Sequence, residues 1–186
     1  MSADDILLDT EDRMDKAIQH LKQGLGGIRT GRANPGLVDS LKVEVYGSLT
    51  PMKQLASVGA PEPQQILVRP YDPSTIKDIE RAIINSNLGL APQNDGRVIR
   101  INVPPLTTEN RKKLVSRIKE LTEEAKVSVR NVRRDGNKAA EQGEKDGDLT
   151  EDELTKTKED IQELTKKYEQ LATDMAKRRE DEVMEG

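Results

Sequence analysis

The sequence predicts an α+β protein: an elongated three-helix bundle into which a small mixed α/β unit is inserted after the first helix. Apolar residues recur at helical spacing from residue 6 to 28 and again from 114 to 175, while the stretch between them alternates with period two and gathers the prolines. Hydrophobic residues make up 33% and charged residues 34%, with no Phe, no Trp and three Tyr, so the core is aliphatic and the helices carry charged faces.

The first helix rests on Ile6, Leu7, Met14, Ala17, Ile18, Leu21, Leu25 and Ile28, spaced by three, four and seven. Ser2 followed by Asp5 resembles a capping box, which starts the helix near Ala3. Thr30-Gly31 ends it near Arg29, and Asn34-Pro35-Gly36 turns the chain away. In the inserted stretch, Leu41 to Val45 alternates and stops at Tyr46-Gly47-Ser48, a hairpin turn with a return strand behind it. Gln65 to Arg69 and Arg97 to Val103 read as further strands. Between them Ile76, Ile79, Ile83 and Ile84 mark a helix over 74–86.

After Pro104-Pro105 the helical period returns. Leu114, Ile118, Leu121, Ala125, Val129 and Val132 form one stripe, ending near Gly143 to Gly147. Thr150 and Glu153 make a capping box for a last helix striped by Leu154, Ile161, Leu164, Tyr168, Leu171 and Met175. Three such stripes bury one another best as a three-helix bundle. The bundle is thus assigned residues 1–30 and 106–186, and the inserted unit residues 31–105. The two crossings, near 29–32 and 103–106, carry Thr30, Gly31, Pro104 and Pro105 as hinge residues between units that share little core.

Several function classes are set aside by residue content. There is no cysteine, hence no disulfide, thiolate nucleophile or Cys-based metal site, which suits a cytoplasmic protein. No apolar run approaches the ~20 residues of a membrane span. His20, the one histidine, has no Cys beside it and reads as a boundary residue. Adjacent acids such as Glu151-Asp152-Glu153 suit helix ends and solvated faces, and no nucleophile-base pairing is visible. Gly24-Leu25-Gly26-Gly27 lies within a helical pattern and lacks the Gly-Lys-Ser/Thr ending of a phosphate loop. No metal, no cofactor and no catalytic group are expected.

Charge is distributed unevenly. The net charge is -4, yet from Thr107 to Ala140 there are 10 Lys or Arg against 5 Asp or Glu, whereas Glu141 to Gly186 holds 8 against 16. At 100° per residue Lys112, Lys119, Lys126 and Arg133 lie within about 60° of one another, with Arg130 among them. This row is expected to stand clear of the core, since the apolar stripe is centred about 100° away. It concentrates in Lys126, Arg130, Arg133, Arg134 and Lys138, with Asp135 the one acid in that span. Arginine's planar fork suits phosphate, and the shortage of aromatic rings disfavours base stacking, so phosphate and shape recognition of structured RNA is expected. A helical scaffold that binds partner helices is the other class the pattern admits.

Six segments in register resemble the bacterial ribosome recycling factor family: Ile28 to Pro35, Tyr46-Gly47, Gln54 to Ser57, Asn87 to Leu90, Pro104 to Thr107, and Val127 to Asp135. The resemblance covers nearly the whole chain. It implies an L-shaped, monomeric, non-enzymatic factor of the cytoplasm, a three-helix bundle with an inserted small β/α/β sandwich domain, that binds the post-termination ribosome. With elongation factor G and GTP, hydrolysed by that partner, it promotes dissociation of the subunits. The large subunit's ribosomal RNA is then the expected ligand of Arg130, Arg133, Arg134 and Lys126, and of Arg29 and Arg32 beside the hinge. Two positions depart from the family pattern: Asn110 stands where an acid is common, and Gly136 where a helix former is usual. On helix propensity alone the glycine costs about 1 kcal/mol relative to alanine.

Overall fold

A computed structural model describes residues 1–86 and 88–185; Asn87 and Gly186, which fall within the spans assigned above, lie outside them. In chain order the elements are α1 (Ala3–Gly26), α2 (Gly36–Asp39), β1 (Lys42–Val45), β2 (Ser48–Pro51), α3 (Met52–Leu55), β3 (Ala56–Glu62) and β4 (Gln65–Pro70). A 3-10 turn (Pro73–Thr75) leads into α4 (Ile76–Ile84), β5 (Ala91–Asn94), β6 (Ile99–Asn102), α5 (Thr108–Lys145) and α6 (Glu151–Glu185). The chain divides into two compact units, 1–28 with 111–185 and 29–110. The fold is α+β: three long helices in one unit, sheet and short helices in the other.

In the helical unit α1 starts on the capping box that the sequence suggests. Asp5 N–H donates to Ser2 Oγ at 3.1 Å, and Ser2 N–H donates to Asp5 Oδ2 at 3.0 Å, so a carboxylate serves although Glu or Gln is usual. α1 ends at Gly26, three residues before Arg29, because Gly27 turns its amide back to Gly24 and Leu25. Thr150 and Glu153 form the second box, at 2.9 and 3.1 Å.

The seams differ from the apolar stripes in a consistent way. On α5 the buried positions are Ile118, Thr122, Ala125, Val129, Val132, Gly136, Ala140 and Gly143, with Leu114 and Leu121 half-buried. On α6 they are Thr157, Ile161, Thr165, Tyr168, Ala172, Ala176 and Val183; Leu154, Leu164 and Met175 flank the seam, and Leu171 is 38% exposed. The α6 seam is thus turned away from its leucines, while Ile161 and Tyr168 lie in it. Helix backbones approach most closely where the contact residues are small, so threonine, alanine and glycine alternate along the seams with Ile118, Val129, Ile161 and Tyr168, and the leucines cover the sides. Thr122 and Thr165 satisfy their hydroxyls on the carbonyls of Ile118 and Ile161, at 2.6 and 2.8 Å, which makes their burial tolerable.

The other unit holds a two-stranded sheet, β1-β2, and a four-stranded antiparallel sheet of order β3-β4-β6-β5. Val43 and Val45, Ile66 and Val68, and Ile99 and Ile101 point inward in alternation and meet Ile76, Ile79 and Ile83 of α4 in one aliphatic core. Ile84 lies off that face at 59% exposure, contrary to the helical reading. Tyr46 and Gly47 close the β1-β2 hairpin with φ of 50° and 79°, the pair of left-handed residues a two-residue turn needs. β6 is shorter than the 97–103 span because Asp95 Oδ1 accepts the amides of Arg97 and Val98, both at 2.9 Å, and holds them in a turn. β3 and β5 have no alternation in the sequence; both are edge strands, where Pro61 and Pro92 are tolerated.

Candidate nucleic-acid interface

The basic row belongs to α5, whose buried seam leaves one flank for Lys119, Lys126, Arg130 and Arg133. None of these side chains is buried, so the row is clear of the core as expected, but α6 lies along it. Arg130 donates through Nε to Glu169 Oε1 of α6 at 2.8 Å and through Nη1 to Glu123 Oε1 at 3.3 Å. The Glu169 hydrogen bond and charge, with Glu123 adding to them, raise the Arg130 pKa further above its ordinary value. Lys119 and Lys126 line a groove with Thr122, Glu123, Thr173 and Lys177, and further along Lys158 pairs with Glu141 at 2.6 Å. A residue some 60–120° from a helix seam meets the neighbouring helix's flank, so a row placed there runs along an interhelical groove.

The remaining cations are freer. Arg133 is half-buried and makes no hydrogen bond or ion pair among the described residues. Arg134 is exposed, with one long contact of 3.4 Å to Asn131 Oδ1, and Lys138 is exposed. Asp135, which in sequence looks like the neutralising acid, projects to the other side of α5 and pairs with Arg13 of α1 at 2.7 Å. The outward charge of this segment is therefore more positive than its composition. Four expected residues, Lys126, Arg130, Arg133 and Arg134, share one helix; Lys112 lies on the same row near its start. Arg29 and Arg32 fall in the 29–110 unit, Arg32 exposed and Arg29 half-buried with its Nε sealed from solvent and no acceptor among the described residues. Gly31 adopts a φ of 76°, a left-handed conformation that disfavours any side chain there.

Arg179, which sequence reasoning passed over, is held by four acceptors in the helical unit. Its side chain is 17% exposed, and it donates to the carbonyls of Leu25 and Ile28, both at 2.9 Å, and of Gly26 at 3.4 Å. Glu182 takes Nη1 at 2.6 Å. These carbonyls cluster at the end of α1, whose last turn has no basic residue of its own; that of Leu25 also accepts the Ile28 amide at 3.1 Å. The available signal was that lack, together with the glycine-rich ending. Elsewhere, His20 is exposed, and no group of three or more His, Asp or Glu among the described residues is placed to hold a metal. No helix among the described residues is long and apolar enough to cross a membrane.

A unit of three long helices with a Lys- and Arg-rich flank, interrupted in sequence by a small sheet unit, defines an α+β class of protein with one cationic helix flank. Residues 21–184 match the ribosome recycling factor family model. The chain is similar to the ribosome-recycling factor of Rhodopirellula baltica, 75% identical over 140 residues and 75% of each chain. It is also similar to that of Halalkalibacterium halodurans, 49% identical over 181 residues, covering 97% of this chain and 98% of the relative. A solution structure of a ribosome recycling factor superposes with a TM-score of 0.82 at 39% identity over 100% of this chain and 99% of its own. A T. thermophilus factor, in models with E. coli elongation factor G bound to the E. coli post-termination complex, matches with a TM-score of 0.69 and 39% identity, covering 98% and 99%. The chain belongs to the ribosome recycling factor family.

Proposed function

We propose that this chain binds the post-termination ribosome in the cytoplasm and, with elongation factor G and GTP, promotes dissociation of the subunits. It acts as a monomer without catalytic chemistry of its own, the energy coming from the GTP that the partner hydrolyses. Family membership over most of the chain supports the task. The observation that carries the contact is the unpaired Arg133 beside Arg134 on α5, with the nearest acid turned away to Arg13. Ribosomal RNA of the large subunit is the matching ligand, because a planar guanidinium next to a second one presents donors to a phosphate without first giving up an internal ion pair. Lys126 and Arg130 border the same surface, and Arg29 and Arg32 extend the cationic set on the other unit. Thr30 with Gly31, and Pro104 with Pro105, serve as the hinge about which that unit moves when the partner pushes.

Arg133→Ala is expected to weaken sedimentation with large ribosomal subunits and to lower the salt slope by about one unit, as one phosphate contact is lost. Unchanged affinity across a salt series removes Arg133 from the interface. A helical scaffold that binds protein helices instead predicts little salt dependence in the wild-type chain. Covalently tying the two units should leave ribosome binding in place and stop subunit splitting; full activity in the tied form removes the hinge.

A further inference from the structure

Arg130 stands between two carboxylates of unequal standing. Glu169 reaches it from α6 with a side chain 30% exposed and accepts from Nε at 2.8 Å. Glu123 reaches it from seven residues earlier on α5, is 64% exposed, and accepts from Nη1 at the longer distance of 3.3 Å. Seven residues is about 10.5 Å along a helix, so that second contact needs two long side chains extended toward each other. An exposed pair of this kind is held weakly and is easily exchanged. Nη2 of Arg130 makes no hydrogen bond among the described residues.

We propose that Glu169 is a positioning residue for the phosphate-binding face of α5, holding the Arg130 guanidinium by Nε so that its Nη edge faces outward, while Glu123 occupies the place a ribosomal RNA phosphate takes. This rests on the reading of α5 as the RNA-contacting helix. A guanidinium held at Nε keeps its two terminal nitrogens as an end-on fork, the arrangement that takes two oxygens of one phosphate. Glu123, bound only to Nη1, leaves as the phosphate arrives. Arg133 and Arg134, three and four residues on, lie on the adjoining turn and continue the surface.

The two acids are thereby assigned opposite signs. By charge alone, removing either one makes the surface more positive and tightens RNA binding. Positioning predicts otherwise for Glu169, since a released Arg130 must be ordered again on binding.

The experiment measures affinity of the full-length chain for purified large ribosomal subunits by sedimentation over a salt series. Glu169→Ala is expected to weaken binding about three- to tenfold. Glu169→Gln, which keeps the acceptor and drops the charge, is expected to bind as well as wild type or better. Glu123→Ala is expected to bind more tightly. In an Arg130→Ala background Glu169→Ala should cause no further loss, whereas a general loss of structure would weaken binding there too. The proposal is overturned if Glu169→Ala and Glu169→Gln tighten binding alike, if both weaken it alike, or if the loss persists without Arg130. If Arg133→Ala and Arg130→Ala both leave binding untouched, the RNA reading of α5 fails and the positioning role falls with it.

Discussion

A methyl group added at Gly136 has no free volume to enter. Its carbon would stand 2.8 Å from Thr10 Oγ1 and 3.1 Å from Ile161 Cδ1, where α1, α5 and α6 converge. Thr10 is 2% exposed and Ile161 0%, so neither neighbour has an easy way to yield. At Gly26, by contrast, the same methyl meets nothing within 4 Å. Helix propensity favours alanine at either position by about 1 kcal/mol, somewhat less in the last turn. Overpacking a close-packed core costs about 1–3 kcal/mol. Gly26→Ala is therefore expected to be stabilising by up to about 1 kcal/mol, and Gly136→Ala to be neutral to destabilising by about 2 kcal/mol. For a chain of this size the two variants should differ in Tm by roughly 2–12 °C. Calorimetry or urea unfolding of the two proteins reads the difference directly. A double-mutant cycle with Thr10→Ala, which deletes the nearest crowding atom and leaves Ile161, should return a coupling of about 0.5–3 kcal/mol. The packing argument is refuted if Gly136→Ala gains as much stability as Gly26→Ala, or if the cycle is additive.

Three further predictions concern the ends of elements. Thr150→Ala removes the hydroxyl that accepts the Glu153 amide and should lower stability by about 1 kcal/mol in urea unfolding. Arg179→Met removes the side-chain donor to the Ile28 carbonyl and one of the donors to that of Leu25, which keeps the Ile28 amide, and should cost about 1–3 kcal/mol in the same assay; no change would show that these acceptors find other partners. The amides of Val98 and Arg97 hold the Asp95 carboxyl below its ordinary range, and the Ser74 hydroxyl and amide do the same for Asp72. Both folded pKa values are depressed, so the stability these groups contribute is present above the unfolded value of about 4 and is lost as pH falls through the folded one. The urea midpoint should be level from pH 7 to about 5 and fall below it, and Asp95→Asn, which keeps an acceptor, should reduce that fall.

Much of the secondary structure was legible because its signals are local. Ser2 with Asp5 and Thr150 with Glu153 cap their helices as read, and Tyr46-Gly47 turns the hairpin. What a linear reading misses is decided by distant neighbours. Thr157, Thr165 and Gly136 count as polar or helix-breaking in isolation, yet they form the seams because three backbones meet there. The propensity penalty read at Gly136 is thus the lesser term: alanine would fit the helix and not the bundle. β3 and β5 were invisible because an edge strand needs only one partner and neither alternation nor freedom from proline. In the candidate interface, periodicity located the basic row on α5 but could not reveal α6 beside it. Glu169 lies 39 residues from Arg130, and Asp135 turns to Arg13, 122 residues away; both pairings reverse what local charge counting suggested.

The claim at the centre is that this chain, as a member of its family, takes post-termination ribosomes apart. Light scattering of purified post-termination complexes, mixed with the chain, elongation factor G and GTP, tests it directly. Expected is a rapid fall to the signal of separated subunits when all three are present, and little change when the chain or GTP is left out. Complexes that stay intact in the full mixture, or that split equally well without the chain, contradict it.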